Sequence, residues 1–204
     1  MDIMAVLYFC VLGFLMMYVD ADFVNLMEID KGFDAETHHE PNKWHSLKDS
    51  QFLWSQCNKT AVPVVVTSLH IKPDPIQFGH NISFSGQIDV SEDVGTTTTL
   101  EAHLTVMLKI DAQWFDVCVY KPNYCNINDV CDWMKRVVGD KCPPNLKPFC
   151  QCPFKKGNYP IPTLTTMIPN PPITVSGQFN ITMTLKESQK EIGCLNVKLC
   201  LGQC

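Results

Sequence analysis

The feature that most constrains this chain is a dense set of cysteines around one short amphipathic segment. Six of its 11 cysteines fall in one region, at Cys118, Cys125, Cys131, Cys142, Cys150 and Cys152. Between them, apolar residues recur with the period of a helix buried on one face, at Val130, Trp133, Met134 and Val137. Asn128 is placed to cap the start of this helix, and Gly139 to follow its end. The segment therefore predicts a short helix fixed by disulfides as a lid on a sheet.

Alternating apolar and polar residues predict strands on both sides of this helix. The apolar positions are Ile82, Phe84, Ile88 and Val90, then Leu100, Ala102, Leu104, Val106, Leu108 and Ile110, then Phe179, Ile181, Met183 and Leu185, and finally Leu195, Val197 and Leu199. A β-branched run from Val62 to Ile71 is typical of a buried strand. Strands with one apolar face each are buried most simply as two antiparallel sheets, which predicts an all-β sandwich. The chain lacks a glycine-rich phosphate loop, which excludes nucleotide-binding α/β folds.

The first residues predict a secretory leader. Positions 4–19 are almost wholly apolar, and Val19-Asp-Ala21 offers a cleavage site, so we expect residues 1–21 to be a signal peptide. The alternative is a signal anchor that stays in the bilayer, although the run is shorter than the ~20 residues of a membrane span. Residues 22–50 are polar without a sustained period. We expect them to form a mobile extension ahead of a domain at 51–204.

Cysteine usage indicates an oxidising compartment. Removal of residues 1–21 takes away Cys10 and two of the 21 acidic residues, which leaves ten cysteines and, against 16 basic residues, a net charge of −3. An even number of cysteines after a secretory leader predicts disulfides. Zinc is the rival interpretation, but no Cys-x2-Cys pair exists and we expect no metal site. Sequons for N-linked glycans at Asn58, Asn81 and Asn180 agree with secretion.

A proline-rich segment from Lys155 to Val175 departs from the strand pattern. Its prolines at 160, 162, 169, 171 and 172 are separated by apolar residues. So many prolines cannot take part in the hydrogen-bond ladder of a central strand. Two interpretations remain open. The segment is either an edge packed over an open side of the sandwich, or a mobile apolar flap at the mouth of a cavity, able to touch a membrane.

Two stretches of the chain carry a family resemblance. One is the run Cys150-Gln-Cys-Pro-Phe-Lys-Lys-Gly-Asn-Tyr159, and the other is Ser68-Leu-His-Ile-Lys-Pro-Asp-Pro-Ile76. Together with the cysteine spacing, they resemble the MD-2-related lipid-recognition (ML) family over positions 52–199. The resemblance implies an immunoglobulin-like β-cup, in which two antiparallel sheets surround a hollow apolar cavity with a disulfide-stapled rim.

The resemblance also implies a disulfide pattern, because the sequence alone leaves 105 pairings of eight cysteines open. The implied pairs are Cys57 with Cys194, Cys118 with Cys125, Cys131 with Cys152, and Cys142 with Cys150. Cys200 and Cys204 fall outside the family pattern. An extended strand would hold their Cα atoms about 13 Å apart, too far for a disulfide. A turn at Gly202 would bring them together, and otherwise one of them links to another chain.

The function that the resemblance implies is binding and transfer of lipid without catalysis. The cavity would take the tails of a glycosphingolipid or phospholipid from a membrane, and the sugar head would be presented to a lysosomal glycosidase, as sphingolipid activators do. Inward positions and residues near the mouth give the candidate lipid contacts, which are Leu104, Val106, Leu108, Trp114, Phe115, Trp133, Met167, Ile168, Ile173 and Val175. No cofactor and no nucleic-acid partner are expected.

Two other classes of function stay open. A secreted lipid-sensing protein or a structural interaction protein could share the same fold. An enzyme is disfavoured, because the chain has no Gly-x-Ser-x-Gly elbow, no His-Glu-x-x-His motif and no cysteine-centred catalytic signature.

The charge balance predicts that acid favours contact with membranes. At about pH 4.5 many carboxylates, with reference pKa values of ~3.9 and ~4.3, begin to protonate, and histidines become charged. The chain has six histidines, so its small negative charge becomes positive. We therefore expect peripheral binding to acidic membrane surfaces in a secreted or lysosomal setting.

Overall fold

The computed structural model describes residues 51–58, 60–96, 99–110, 113–119, 122–138, 147, 150–168, 170 and 176–204. The expected signal peptide at 1–21 and the expected extension at 22–50 lie outside these residues. In the part of the chain that is described, no helix is both long enough and apolar enough to cross a bilayer.

Two antiparallel sheets make up the fold. The strands are β1 (Leu53–Gln56), β2 (Val64–Lys72), β3 (Asn81–Val90), β4 (Leu100–Ile110), β5 (Gln113–Asp116), β6 (Asn126–Ile127), β7 (Gly157–Met167), β8 (Gly177–Glu187) and β9 (Lys190–Leu201). The larger sheet has the order β1-β9-β8-β4-β5, with β6 also on β4, and the smaller sheet has the order β2-β3-β7. The predicted all-β, two-sheet architecture is confirmed.

Alternation of side chains along the strands decides which residues face the interior. In β4, the alternate residues Leu100, Ala102, Leu104, Val106 and Leu108 are at most 6% exposed, whereas Thr105 on the other face is exposed. In β8, Phe179, Ile181, Met183 and Leu185 are buried in the same way. Because the side-chain period of a strand is two, one apolar face per strand is enough to bring the two sheets together.

The helical segments lie between β5 and β7. A 3₁₀ turn (Val117–Val119) leads to the four-residue helix α1 (Pro122–Cys125), and the predicted helix is α2 (Val130–Val138). Asp129, rather than Asn128, caps α2, because the Asp132 backbone N–H donates to Asp129 Oδ1 at 3.0 Å. Our expectation was therefore one residue too early, and Gly139 lies outside the described residues.

The proline-rich segment begins as an edge strand over residues 157–167, which agrees with the first of its two interpretations for this part of the segment. β7 pairs with β3 along its full length and forms an edge of the smaller sheet. The register shifts between the pairs Gly86–Ile161 and Phe84–Leu164, so β7 has one extra residue there. Pro162 lies in this bulge, where an edge strand tolerates the missing N–H.

Disulfides join the ends of the fold. Cys57 is bonded to Cys194, Cys118 to Cys125, and Cys131 to Cys152, which are pairs that the resemblance implies. Cys150 is also disulfide-bonded, and its implied partner Cys142 lies outside the described residues.

The last disulfide closes a turn within the chain. Cys200 and Cys204 are bonded with their Cα atoms 6.0 Å apart. Gly202 makes this turn with φ of +74°, a backbone conformation that glycine adopts without a steric penalty. Of the two possibilities for these cysteines, the structure has the intramolecular pair.

Candidate functional site

The space between the two sheets is lined by apolar side chains. The larger sheet contributes Leu104, Val106, Leu108, Phe179, Ile181, Val197 and Leu199, and the smaller sheet contributes Leu69, Phe84, Ile88, Tyr159 and Ile161. None of the described lysine, arginine, histidine, aspartate or glutamate residues is buried. An interior of this kind has no group that would solvate a charge, but it is a favourable environment for hydrocarbon.

One side of the sandwich is closed along β9. At one end, a Cβ atom on Gly193 would stand 3.0 Å from the Val64 carbonyl oxygen, so β9 and β2 nearly touch. At the other end, the Ile76 N–H donates to the Cys200 carbonyl at 2.9 Å, and the Gly202 N–H donates to the Ile76 carbonyl at 2.8 Å. The two sheets are therefore fastened at both ends of this side.

The opposite side is fastened at the end that carries α2. Val94 and Phe154 exchange two backbone hydrogen bonds of 2.8 and 2.9 Å, and the Cys131–Cys152 disulfide ties α2 to the same place. Asp93 completes the joint, because its carboxylate accepts from Lys155 Nζ at 2.8 Å.

The pKa values of Asp93 and Tyr159 are shifted at this joint. The hydrogen bond from Lys155 and a second one from the Lys156 backbone lower the pKa of Asp93. Burial raises the pKa of Tyr159, whose hydroxyl donates to the Lys155 carbonyl. At neutral and mildly acidic pH, Asp93 is thus an anion and Tyr159 a neutral donor, which is the combination that these contacts require.

The remaining corner of the sandwich lies between β5 (Gln113–Asp116) and the end of β7 with Ile168, and we name it the β5–β7 corner. Within the described residues, no backbone hydrogen bond, disulfide or ion pair joins Gln113–Asp116 to residues 161–168. Phe115 pairs with Leu108 and so lies on the interior side of β5. Leu164 pairs with Phe84 and lies on the interior side of β7. Apolar side chains from both sheets therefore flank a corner that has no such fastening.

The structure divides the candidate lipid contacts by face. Leu104, Val106, Leu108 and Ile168 are buried, and Phe115 lies beside them on the interior side. Trp114 instead pairs with Lys109 on the outer face, where the Lys109 ammonium stands 5.9 Å from the indole centroid. Met167 pairs with the exposed Asn81 and is 57% exposed. Adjacent strand residues point to opposite faces, so Trp114 and Phe115 cannot both line the interior.

Trp133 is not brought together with the residues of the β5–β7 corner. Its helix follows β6, which pairs with Ala102 and His103 near the start of β4, whereas β5 pairs with the end of β4. Trp133 packs against the core from that first end. Ile173 and Val175 lie outside the described residues.

Leu164 and Tyr159 are interior residues that the sequence analysis missed. The prolines of this segment argue against a central strand, and they drew attention away from its alternating apolar residues. The pattern is nevertheless visible once a bulge is allowed, since Tyr159 and Ile161 share a face with Leu164 and Thr166 across the extra residue.

The outer surfaces are polar and carry the sequons. Asn81 begins β3 and is exposed, Asn180 lies at the centre of β8, and Asn58 follows Cys57. In the described part of the chain, no cluster of three or more His, Cys, Asp or Glu side chains could hold a metal ion.

The fold and the interior define a β-sandwich with disulfides, whose two sheets enclose apolar side chains. The sheets are linked at both ends of one side and at one end of the other. The chain belongs to the ML domain family, whose model matches residues 51–201.

Among curated proteins, the chain is similar to the ganglioside GM2 activator of Macaca fascicularis, with 28% identity over 166 residues that cover 77% of this chain and 86% of the relative. The ganglioside GM2 activator of Mus musculus is 29% identical over 155 residues, which cover 72% of this chain and 79% of the relative.

Solved structures with a detectable likeness are more distant. A Niemann-Pick type C2 protein from Japanese carpenter ant is 14% identical with a TM-score of 0.42, over 74% of this chain and 99% of that one. Chicken MD-1 complexed with lipid IVa is 12% identical with a TM-score of 0.32, over 76% of this chain and 91% of that one.

Proposed function

We propose that this protein binds lipid, with the hydrocarbon tails between the two sheets and the polar head outside the β5–β7 corner. The observation that carries the proposal is that an interior without buried charged side chains, among the described residues, is closed at both ends on one side and at only one end on the other. Membership of the ML domain family and similarity to ganglioside GM2 activators support the same function.

The energetics of lipid transfer require an interior of this kind. Each methylene moved from a bilayer into water costs ~0.8 kcal/mol, so a two-chain lipid leaves a membrane only if nearly all of its chain length is buried again. Movement of the two sheets apart at the β5–β7 corner would admit a chain between Phe115 and Leu164. The Cys131–Cys152 disulfide and the contact of Gly193 with Val64 would hold the rest of the sandwich together.

Similarity to ganglioside GM2 activators supports a finer function. We infer a non-enzymatic activator that lifts a glycosphingolipid from a membrane and presents its sugar head to a lysosomal glycosidase, after passage through the secretory pathway. The disulfides of the described domain support an oxidising compartment. A secreted lipid sensor or a structural protein of the same fold is the alternative, and the experiment below separates it from the activator.

The test is extraction of a fluorescent ganglioside from liposomes by the purified chain, with mass spectrometry of the bound lipid. Leu164→Trp places a larger side chain on the interior side of the corner and is expected to reduce uptake about tenfold, which corresponds to ~1.4 kcal/mol of lost binding. Thr165→Trp makes the same addition on the exposed face of the same strand and should leave uptake unchanged.

The outcomes separate the two levels of the proposal. A chain that extracts no lipid, or a Leu164→Trp variant that extracts as much as the parent, overturns the site. Lipid uptake without stimulation of a glycosidase on membrane-bound substrate overturns the activator role and leaves the lipid sensor.

A further inference from the structure

The solvent face of the larger sheet has a sequon at its centre. Asn180 lies in the middle of β8, between its register partners Met107 on β4 and Lys198 on β9. Phe179 and Ile181 on either side of it are at most 5% exposed, so the Asn180 side chain points away from the core. Any group attached to Asn180 would therefore stand over the outer face of the sheet.

The side-chain amide of Asn196 holds both the asparagine and the threonine of this sequon by hydrogen bonds. Asn196 Nδ2 donates to Asn180 Oδ1 at 2.8 Å and to Thr182 Oγ1 at 2.9 Å. Asn180 Nδ2 makes no hydrogen bond with the described residues. This nitrogen is the atom that forms an N-glycosidic bond, and the amide oxygen keeps its acceptor role when that bond is present. The folded sheet thus holds Asn180 in an orientation that fits a glycan.

The sequon at Asn58 has the opposite arrangement. Asn58 Nδ2 donates to the Thr60 carbonyl at 2.7 Å, and Asn58 Oδ1 is buried with no hydrogen-bond partner among the described residues. Asn58 lies outside the strands, directly after Cys57, so a group attached to it would not stand over the centre of a sheet. The two sequons are equal in sequence, and the tertiary structure distinguishes them.

We propose that Asn180 carries an N-linked glycan that covers the outer face of the β9-β8-β4 strands. In the transfer, Asn180 Nδ2 attacks the anomeric carbon of a lipid-linked oligosaccharide diphosphate. The new bond is C–N, the broken bond is C–O to the diphosphate, one proton leaves the nitrogen, and the lipid diphosphate departs. A bulky, solvated glycan at the centre of the larger sheet excludes a protein partner from this face.

Site occupancy is tested with the full chain behind an added leader that directs it to the endoplasmic reticulum, so that the result does not depend on residues 1–21 or on lipid binding. Peptide N-glycosidase in heavy-oxygen water converts each glycosylated asparagine to labelled aspartate, which peptide mass spectrometry locates. Label at Asn180 is expected. Unlabelled Asn180 overturns the proposal.

Two matched variants at Thr182 test whether the label depends on the sequon rather than on a change in folding. Thr182→Ser keeps the sequon hydroxyl and should keep the label at Asn180, whereas Thr182→Val has a similar shape and should lose it. If both variants are secreted and neither differs from the parent in label, the modification is not sequon-dependent and the proposal fails.

Methionine oxidation tests whether the glycan covers the larger sheet. The measurement uses the Asn58→Gln/Asn81→Gln variant, in which Asn180 is the one sequon left of the three. Removal of the glycan through Asn180→Gln should raise the oxidation rate of Met107 by about twofold or more, because its register partner no longer carries a bulky group. Met167, which is exposed on the other sheet, serves as the control and should not change. An unchanged rate at Met107 would show that the glycan does not cover this face.

Discussion

Gly193 of β9 lies so close to β2 that a Cβ atom at position 193 would stand 3.0 Å from the Val64 carbonyl oxygen and 3.2 Å from the Val64 Cβ. This approach pins the two sheets together at one end of the closed side. Gly193→Ala should therefore lower the free energy of unfolding by about 1–3 kcal/mol, the usual cost of an added group in a packed interior. Urea unfolding gives the value.

The control for this prediction is Gly157→Ala in β7. A Cβ atom there would meet the Tyr159 ring at 3.9 Å, which is ordinary van der Waals contact. Its effect should stay within about 0.5 kcal/mol. Equal losses in the two variants would mean that the close approach of β9 to β2 does not decide the cost.

The disulfides should differ in their contribution to stability according to the loops that they close. Cys57 and Cys194 are 137 residues apart, whereas Cys200 and Cys204 are four apart. Loss of loop-closure entropy predicts about 5 kcal/mol for the first bond and about 2 kcal/mol for the second. Unfolding of the Cys57→Ala/Cys194→Ala and Cys200→Ala/Cys204→Ala variants checks this order, and a reversed order would contradict it.

The joint at Asp93 should persist in acid. Because the pKa of Asp93 is lower in the folded chain than its ordinary value of 3.8, its interactions stabilise the fold above that pH and are lost as the pH falls through the folded-state value. Asp93→Asn should lower Tm by a similar amount at about pH 7 and pH 5, and the gap between variant and parent should close only below 3.8. The exposed neighbour Glu92 provides the control, since Glu92→Gln should leave Tm unchanged. A gap that closes near neutral pH would contradict this account.

The cap of α2 gives a prediction at single-residue resolution. Asp129→Ala removes the acceptor for the Asp132 N–H and should cost about 1 kcal/mol of stability, the typical value for an N-cap. Asn128→Ala changes the exposed residue one position earlier and should cost little. Denaturant unfolding of both variants distinguishes the two capping positions, and a larger loss at Asn128 would restore the sequence-based assignment.

Membrane binding should depend on pH and on lipid charge. Histidines and carboxylates take up protons between about pH 7 and pH 4.5, which turns a slightly negative chain positive. Sedimentation with anionic vesicles should therefore increase at the lower pH, while zwitterionic vesicles, as the control, should show no comparable change. Equal binding to anionic vesicles at both pH values would remove electrostatics from the mechanism.

Local sequence patterns were enough to predict the long, cleanly alternating strands, because each of these is buried on one face and the alternation is visible without a partner. The alternation in β4 and β8 and the amphipathic period of α2 are examples. They could not reveal β7, where prolines and a bulge interrupt the period, nor the cap at Asp129, which depends on where the first helical hydrogen bond forms.

The sequence by itself determined the cleanly alternating strands such as β4 and β8, the helix α2 and the family resemblance, since these depend on local period and spacing. Only the tertiary structure decided that Phe115 and Leu164 flank one corner, that Trp114 and Met167 face outward, and that Asn180 and Asn58 differ. The physical reason is that register and strand pairing, which join residues far apart in the chain, set the face and the neighbours of each side chain.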